Sequence, residues 1–182
     1  MSNSTSDLDE PIHVVPYDPA WAGLGRALAE RLAAGLRGLP GAVGLPGAVG
    51  VEHIGSTSVP GLAAKPVLDV QVGCAPGDVD MVVAHVRALG FEDLGESGVP
   101  GRRYLRRRAE QPANVHVVAL GGGLWTDNLL LRDHLRAHPE AAACYARAKR
   151  EAAAATGRLL AYSAHKAATV AELLAEARET GA

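Results

Sequence analysis

The sequence has few aromatic residues, few cysteines and little net charge. Aromatic residues make up 4% of its 182 residues, two residues are cysteine, and the formal net charge is −2. With no excess of positive charge, no general attraction to nucleic acid or to an anionic membrane is expected. Cys74 and Cys144 have neither the spacing of a metal motif nor the density of a disulfide framework, which favours a reduced, cytoplasmic protein.

Long hydrophobic segments are also missing from the sequence. No apolar run approaches the roughly 20 residues that a membrane-spanning helix needs, and the first ten residues are too polar and acidic for a signal peptide. We expect residues 1–11 to be a disordered tail and residues 12–182 to form a single domain. Hydrophobic residues make up 48% of the chain, enough for a core built from Val, Leu and Ala.

The spacing of the apolar residues predicts both helices and strands. Asp18 and Pro19 are predicted to begin a helix with an apolar stripe, formed by Trp21, Leu24, Leu28, Leu32 and Leu36. Further helices are predicted at 79–89, from the cap Thr126 to Pro139, at 140–156 and at 159–179; strands are predicted at 12–16, 51–54, 67–72, 91–94, 102–107 and 115–120. Residues 39–50 repeat Leu-Pro-Gly-Ala-Val-Gly twice, and we interpret them as a surface loop without function. The pattern predicts an α/β (α+β) fold, with helices packed on a sheet and a helical C-terminal segment.

The central motif consists of two predicted strands joined by a Gly-Ser turn and a loop. The first strand ends at Gly55 and Ser56, and the second carries Asp69 and Gln71, which alternation places on one face. Backbone N–H groups of such a turn can bind a phosphate, and an acid on the next strand can hold a metal ion. The motif therefore predicts a compact site for a phosphate and a cation.

The run 53–69 resembles the signature of the GrpB family, which is grouped by fold with the nucleotidyltransferase superfamily. The resemblance covers most of the chain, and its other motifs are Tyr17-Asp18-Pro19-Ala20-Trp21, Gly101-Arg102-Arg103-Tyr104, Val115-His116-Val117-Val118, the run 131–139, and Tyr145, Lys149, Tyr162 and Lys166. It implies a nucleotidyltransferase-like mixed β-sheet. It also implies that Gly55, Ser56 and Thr57 bind the phosphates of a nucleoside triphosphate.

Nucleotidyl transfer in that superfamily uses two metal ions held by three carboxylates. The resemblance places Asp69 at the first position, Gln71 at the second and His116 at the third. An amide lacks the charge that binds Mg²⁺ tightly, and imidazole favours Mn²⁺ or Zn²⁺ over Mg²⁺. We therefore expect a weakened Mg²⁺ or Mn²⁺ site on Asp69, His116 and Gln71, with Asp69 and His116 as catalytic residues. Glu52 and His53 point to opposite sides of their strand, so only one of them can join this site.

Basic residues supply the candidate anion contacts. The arginines near position 105 form either a solvated edge strand that blocks aggregation or a clamp for phosphate or carboxylate; they are Arg102, Arg103, Arg106, Arg107 and Arg108. We expect Arg102 or Arg103 to line the pocket and the last three to face solvent. Lys65 either reaches a bound triphosphate or is a surface lysine. Tyr162 and Lys166 lie one helical turn apart, which suits packing or a contact at the pocket rim.

These residues lead to three hypotheses for function. The first is an enzyme that binds a nucleoside triphosphate and a divalent metal and transfers a nucleotidyl group to a small acceptor. The second is a non-catalytic nucleotide- or phosphate-binding module that assists a protein partner, as family-like domains fused to an enzyme of coenzyme A synthesis imply. The third is a ligase that activates a carboxylate with ATP. Replacing Asp69 by Asn separates the first from the second, because only catalysis on a metal depends on that charge.

Overall fold

The computed structural model describes residues 9–37 and 50–180. The helices are α1 (Ala20–Arg37), α2 (Val79–Ala88), α3 (Gly123–Ala137), α4 (Pro139–Thr156) and α5 (Leu159–Thr180). The strands are β1 (Gly50–Ile54), β2 (Leu68–Cys74), β3 (Glu92–Asp93), β4 (Arg103–Arg107) and β5 (Ala113–Ala119). All but the last residue of the duplicated segment 39–50 lies outside the described residues, as do residues 1–8 of the predicted tail.

The strands form one mixed sheet in the order β1-β2-β5-β4-β3. Strands β2 and β5 run parallel, and the other neighbours are antiparallel. The mixed sheet with helices packed on it confirms the predicted fold class. The predicted strand 12–16 is wrong, because Val15 pairs only with the loop residue Ala64 in an isolated bridge. The predicted strand 91–94 shrinks to two residues.

One face of the sheet is apolar and is covered by α1 and α2. Because residues paired across neighbouring strands share a face, alternation collects Val70, Val72, Val115 and Leu105 on this side, each with 0% of its surface exposed. Against them pack buried residues of the two helices, among them Trp21, Leu28, Leu32, Leu36, Val82 and Val86. The predicted stripe of the first helix is thus confirmed except at Leu24, which is 40% exposed. We call this side the apolar face.

The opposite side, which we call the polar face, carries Asp69, Gln71, Asn114, His116 and Tyr104. The pairings Asp69↔Asn114, Gln71↔His116 and Tyr104↔His116 place these five side chains together. Each alternates with a residue of the apolar face along its own strand. The polar face therefore concentrates the predicted chemistry of two parallel strands and one antiparallel neighbour.

Helix α3 packs on the polar face over two glycines. A Cβ added at Gly50 or Gly73 would lie 2.4 Å or 2.7 Å from the ring of Trp125, so only glycine allows this contact. The helix begins three residues before the predicted cap Thr126, because Gly122 occupies the cap position. The Thr126 hydroxyl instead donates to the Gly122 carbonyl oxygen, as threonines inside helices often do.

The C-terminal helices α4 and α5 are separated at Gly157, whose φ is 62°. This left-handed conformation ends α4 in the usual way and confirms the predicted break. Three residues of the predicted tail, 9–11, lie against this corner, where Pro11 pairs with Arg158.

Candidate functional site

The turn after β1 begins at Gly55 and continues as a short 3₁₀ segment, Ser56–Ser58. Gly55 has a φ of 68°, which disfavours any residue with a side chain. A Cβ at this position would also lie 2.9 Å from Oδ2 of Asp69. The Ser58 hydroxyl donates to the Gly55 carbonyl oxygen over 2.6 Å. Glycine is therefore required here both for the turn and for its close approach to Asp69.

This turn, Asp69 and residues of the C-terminal helices line one cavity of about 60 Å³. We call it the Asp69 cavity; its lining residues are Gly55, Ser56, Thr57, Ala64, Lys65, Val67, Asp69, Tyr145, Tyr162 and Lys166. Since one water needs roughly 10–15 Å³, the space holds a few waters or one group of phosphate size. The structure thus brings together five predicted site residues from the run 55–69. Tyr162 and Lys166, for which the sequence was equally compatible with packing and with a contact at the pocket rim, also line the cavity.

Asp69 is held in its charged form. Its Oδ1 accepts a hydrogen bond from Asn114 Nδ2 over 2.7 Å and lies 3.3 Å from His116 Nε2. Burial works to raise the pKa of Asp69, but the charge of Lys65 and the contacts with His116 and Asn114 bring it well below its usual range. The predicted pair of Asp69 and His116 is therefore in contact, with Asn114 as a third partner.

All three lysines of the sequence lie at or behind the Asp69 cavity. Burial lowers the pKa of Lys65 against the opposing charge of Asp69. Burial acts in the same direction on Lys166, but Tyr145, Tyr162 and Asp69 outweigh it and raise its pKa. The Asp69 carboxylate therefore faces the ammonium groups of Lys65 and Lys166.

Lys149 is the third lysine and is 1% exposed. Its Nζ donates to the carbonyl oxygen of Ala63, in the loop that carries Lys65, and lies 4.8 Å from the centre of the Tyr145 ring. Burial, followed by the charge of Lys166, lowers its pKa to about 7. Lys149 therefore anchors helix α4 to the wall of the cavity.

Gln71, the predicted second metal position, is fully buried and engaged by α3. Its amide nitrogen donates to the Trp125 carbonyl oxygen over 3.3 Å, and its amide oxygen accepts from Asn128 over 2.9 Å. Within residues 9–37 and 50–180, no group of three or more His, Cys, Asp or Glu side chains is arranged to hold a metal ion. These donors do not fit a two-metal centre, and a Mg²⁺ or Mn²⁺ site on Asp69 and His116 stays a prediction.

The two arginines expected in the pocket lie on different faces of the sheet. Arg102 stacks on the Tyr104 ring at 5.0 Å, on the side of Asp69, and its buried Nε has no hydrogen-bond partner. Arg103 points to the apolar side, where it forms ion pairs with Asp93 and Asp80. The structure therefore brings Arg102, but not Arg103, to the polar face.

The expectation that Arg106, Arg107 and Arg108 face solvent is wrong. Arg106 pairs with Glu92, and Arg107 lies over the Phe91 ring at 4.5 Å. Arg108 donates to the Asn114 side-chain oxygen over 3.0 Å. Strand β3 and the N-terminal residues cover this end of β4. The sequence did not predict this covering, because these segments are short and weakly patterned.

Glu52 and His53 point to opposite sides, as predicted, and neither is among the residues lining the Asp69 cavity. Glu52 accepts from Arg132 of α3 over 2.7 Å. His53 packs against Gly25 of α1, and its Nε2 lies 3.0 Å from the Thr57 hydroxyl. Burial lowers the pKa of His53 to about 4, so a neutral imidazole supports the turn from behind.

Asn114 is the site residue that the sequence analysis missed. It lies two positions before His116 on β5, so alternation predicts that the two side chains share a face, and the register of β2 with β5 places Asn114 beside Asp69. Alternation could not place Tyr145 and Lys149 at the site in the same way, because their positions there depend on how helix α4 packs.

Comparisons with known proteins identify relatives over most of the chain. A family described as GrpB protein matches residues 11–176. The UPF0157 protein YqkA of Bacillus subtilis is 33% identical over 145 residues, which cover 79% of this chain and 40% of that protein. A dephospho-CoA kinase of Mycolicibacterium paratuberculosis is 30% identical over 171 residues, covering 78% of this chain and 40% of that protein. The chain therefore spans well under half the length of these two relatives.

Two solved structures share the fold. The GrpB protein of Enterococcus faecalis superposes with a TM-score of 0.76 at 32% identity, covering 92% of this chain and 98% of that one. A chain of the GLD-2/RNP-8 complex superposes with a TM-score of 0.51 at 13% identity, covering 79% and 57%. At that identity the second likeness concerns the fold alone, which is nucleotidyltransferase-like. Among the described residues, no helix combines the length and apolar character needed to cross a membrane.

Proposed function

This chain belongs to the GrpB family, and we propose that it binds a phosphate group of a nucleoside triphosphate in the Asp69 cavity. The observation that carries the proposal is the arrangement of Lys65 and Lys166 around the Gly55–Thr57 turn, opposite one carboxylate. Phosphate oxygens need donors and positive charge, and both are already in place.

The use of lysine supports the same conclusion. The sequence contains fifteen arginines and three lysines, and the lysines lie together in space. A lysine ammonium is a compact point charge on a flexible stem, whereas an arginine presents a wide, rigid fork. Two of the three lysines, Lys65 and Lys166, line the cavity, where a flexible ammonium group can adjust to a phosphate oxygen.

The donor set favours binding without two-metal catalysis. Gln71 is committed to α3, and Asp69 is the sole carboxylate among the residues that line the cavity. We therefore place the accessory module ahead of the enzyme: a nucleotide- or phosphate-binding domain that assists a protein partner. The relative named dephospho-CoA kinase, of which this chain spans 40%, supports an enzyme of coenzyme A synthesis as that partner.

Nucleotidyl transfer to a small acceptor is the second candidate. It is favoured by the nucleotidyltransferase-like fold and by an ionised Asp69 that lies 3.3 Å from His116. In this role Asp69 and His116 would hold Mg²⁺ or Mn²⁺. Release of pyrophosphate in the presence of an acceptor extract, lost in Asp69→Asn, would support it. Release of phosphate instead would support the ATP-dependent ligase.

Calorimetric titration tests the proposal. ATP, GTP, CTP and UTP are titrated into the wild-type protein and into Lys166→Gln, in EDTA and in Mg²⁺ or Mn²⁺. Loss of a charge-assisted contact worth about 1.5 kcal/mol weakens binding about tenfold. The matched control is Arg31→Gln, which removes one positive charge from an exposed position of α1 and should leave affinity unchanged. Failure of every triphosphate to bind the wild-type protein would overturn the proposal.

A further inference from the structure

Arg108 lies two hydrogen bonds away from Asp69. Its Nη1 donates to the side-chain oxygen of Asn114 over 3.0 Å, and Asn114 Nδ2 donates to Asp69 over 2.7 Å. The Tyr104 hydroxyl donates to the same Asn114 oxygen over 2.9 Å. A guanidinium is thus connected to the Asp69 cavity through a buried amide whose orientation is fixed from both sides.

The other edge of this guanidinium binds a carboxylate from the N-terminal segment. Arg108 Nε and Nη2 donate to the two oxygens of Glu10 over 2.7 Å and 2.5 Å. Burial works to raise the pKa of Glu10, but the hydrogen bond and charge of Arg108, followed by the charge of Lys65, bring it below its usual value. This two-bond geometry is the one with which arginine binds a carboxylate or a phosphate.

The segment that carries Glu10 does not depend on this ion pair for its position. Asp9 accepts from the Leu160 backbone N–H over 3.0 Å and from Arg158 over 3.1 Å. The backbone of Glu10 accepts from the Leu159 N–H, and Ile12 donates to the Gly157 carbonyl oxygen, each over 3.0 Å. The carboxylate of Glu10 can therefore leave Arg108 while its backbone stays attached to the corner between α4 and α5.

We propose that Arg108, together with Lys65, forms a second anion subsite beside the Asp69 cavity, and that Glu10 occupies this subsite until a ligand displaces it. This inference rests on the proposed function, because it takes the cavity itself as the first phosphate site. The ligand class is a molecule with at least two anionic groups, such as a di- or triphosphate. One group enters the cavity, and the second replaces the Glu10 carboxylate on Arg108.

The charges at the site explain why Glu10 acts as a competitor. Lys65 interacts electrostatically with both Glu10 and Asp69. With Glu10 in place, the positive charge of Arg108 is balanced from within the chain. A ligand with one phosphate gains little from the second subsite, whereas a ligand with two must displace the carboxylate before both groups are bound.

The experiment compares inorganic phosphate with pyrophosphate in calorimetric titrations of four proteins. They are the wild type, Glu10→Gln, Glu10→Gln combined with Arg108→Gln, and the matched control Asp9→Asn. Glu10→Gln keeps the shape of the side chain and removes its charge. Asp9→Asn weakens the attachment of the same segment without touching Arg108. Circular dichroism and thermal unfolding confirm that each protein is folded.

We expect Glu10→Gln to bind pyrophosphate about 1.4- to fivefold more tightly than the wild type, the range for a partly exposed ion pair. Its affinity for inorganic phosphate should stay the same. The gain should disappear when Arg108→Gln is added, and Asp9→Asn should behave as the wild type.

Three results would overturn the inference: no gain in Glu10→Gln, a gain that persists without Arg108, or an equal gain in Asp9→Asn. In each of these cases, binding of phosphate to the wild type would leave the proposed function standing. If neither the wild type nor Glu10→Gln binds phosphate or pyrophosphate, the proposed function fails together with the inference.

Discussion

The two faces of the sheet use the same five strands for different purposes. On the apolar face, Val70, Val72, Leu105 and Val115 are sealed beneath α1 and α2. On the polar face, strands β2, β4 and β5 carry Asp69, Gln71, Tyr104, Asn114 and His116, and each of these side chains has a partner. The apolar face thus buries aliphatic side chains in the core, whereas the polar face carries the side chains of the candidate site.

The polar face itself is divided between its two ends. At the Gln71 end, Trp125 and Asn128 of α3 close the surface. At the Asp69 end, the Gly55 turn, the lysines and two tyrosines leave a cavity. A polar side chain can be buried when its hydrogen bonds are satisfied. The Gln71 amide meets this condition through its contacts with α3, so its role is structural. The candidate site lies at the other end, where Asp69 lines the cavity.

The largest effect should come from truncating the apolar face. Leu105→Ala removes a fully buried side chain and should lower the free energy of unfolding by about 2–5 kcal/mol. Affinity for pyrophosphate, measured well below the melting temperature, should stay within about twofold because Leu105 points away from the cavity. Urea unfolding and calorimetry check the two halves of this prediction.

Leu160→Ala is the control, since Leu160 is 43% exposed and its truncation should change stability by less than about 0.5 kcal/mol. A strong loss of pyrophosphate affinity in folded Leu105→Ala would break the separation between the two faces.

Two glycines of α1 sharpen the comparison between the two faces. One of them, Gly25, packs against His53, which in turn contacts the Gly55–Thr57 turn. A Cβ at Gly25 would lie 2.2 Å from the His53 ring. Gly25→Ala should therefore cost about 1–3 kcal/mol of stability through overpacking. It should also weaken pyrophosphate binding, since His53 contacts the Thr57 hydroxyl.

Gly23→Ala, in the same helix, has no atom within 4 Å of the added Cβ and should stabilise the protein by about 0.5–1 kcal/mol. Thermal unfolding of both variants tests this prediction. Equal shifts of the melting temperature in Gly25→Ala and Gly23→Ala would show that the contact between α1 and His53 does not affect stability.

Lys149 provides a pH-dependent prediction, because its ammonium group is buried against the wall of the Asp69 cavity. Its pKa is about 7 in the folded state against an ordinary value of 10.5. Between pH 7 and 10.5 the unfolded state therefore binds more protons, and the free energy of unfolding rises with pH. The rise from this group is at most about 1.4 kcal/mol per pH unit.

The variant Lys149→Met lacks this titration and isolates it from the others. Urea unfolding at pH 7, 8 and 9 should show the wild type gaining stability relative to the variant. Parallel pH profiles for the two proteins would mean that Lys149 keeps an ordinary pKa in the folded state.

Local signals allowed much of the fold and part of the site to be predicted. The alternation in β2 placed Asp69 and Gln71 on one face, and Gly55 marked the turn, because both depend on neighbouring residues only. The fate of Gln71 did not follow from the sequence, since it depends on where α3 packs. Arg103 does not line the pocket and Arg108 does not face solvent, for a related reason: their partners Asp93 and Glu10 come from segments 10 and 98 residues away.

The most direct test of the central claim is calorimetric titration of pyrophosphate into the wild type, Lys166→Gln and Asp69→Asn, each in EDTA and again with Mn²⁺. The claim is that lysines and the Gly55 turn, rather than a metal ion, hold phosphate in the Asp69 cavity. It predicts binding in EDTA that weakens about tenfold in Lys166→Gln and strengthens in Asp69→Asn, where a repelling carboxylate is gone. Binding that requires Mn²⁺ and disappears in Asp69→Asn would contradict the claim and restore a metal-dependent site.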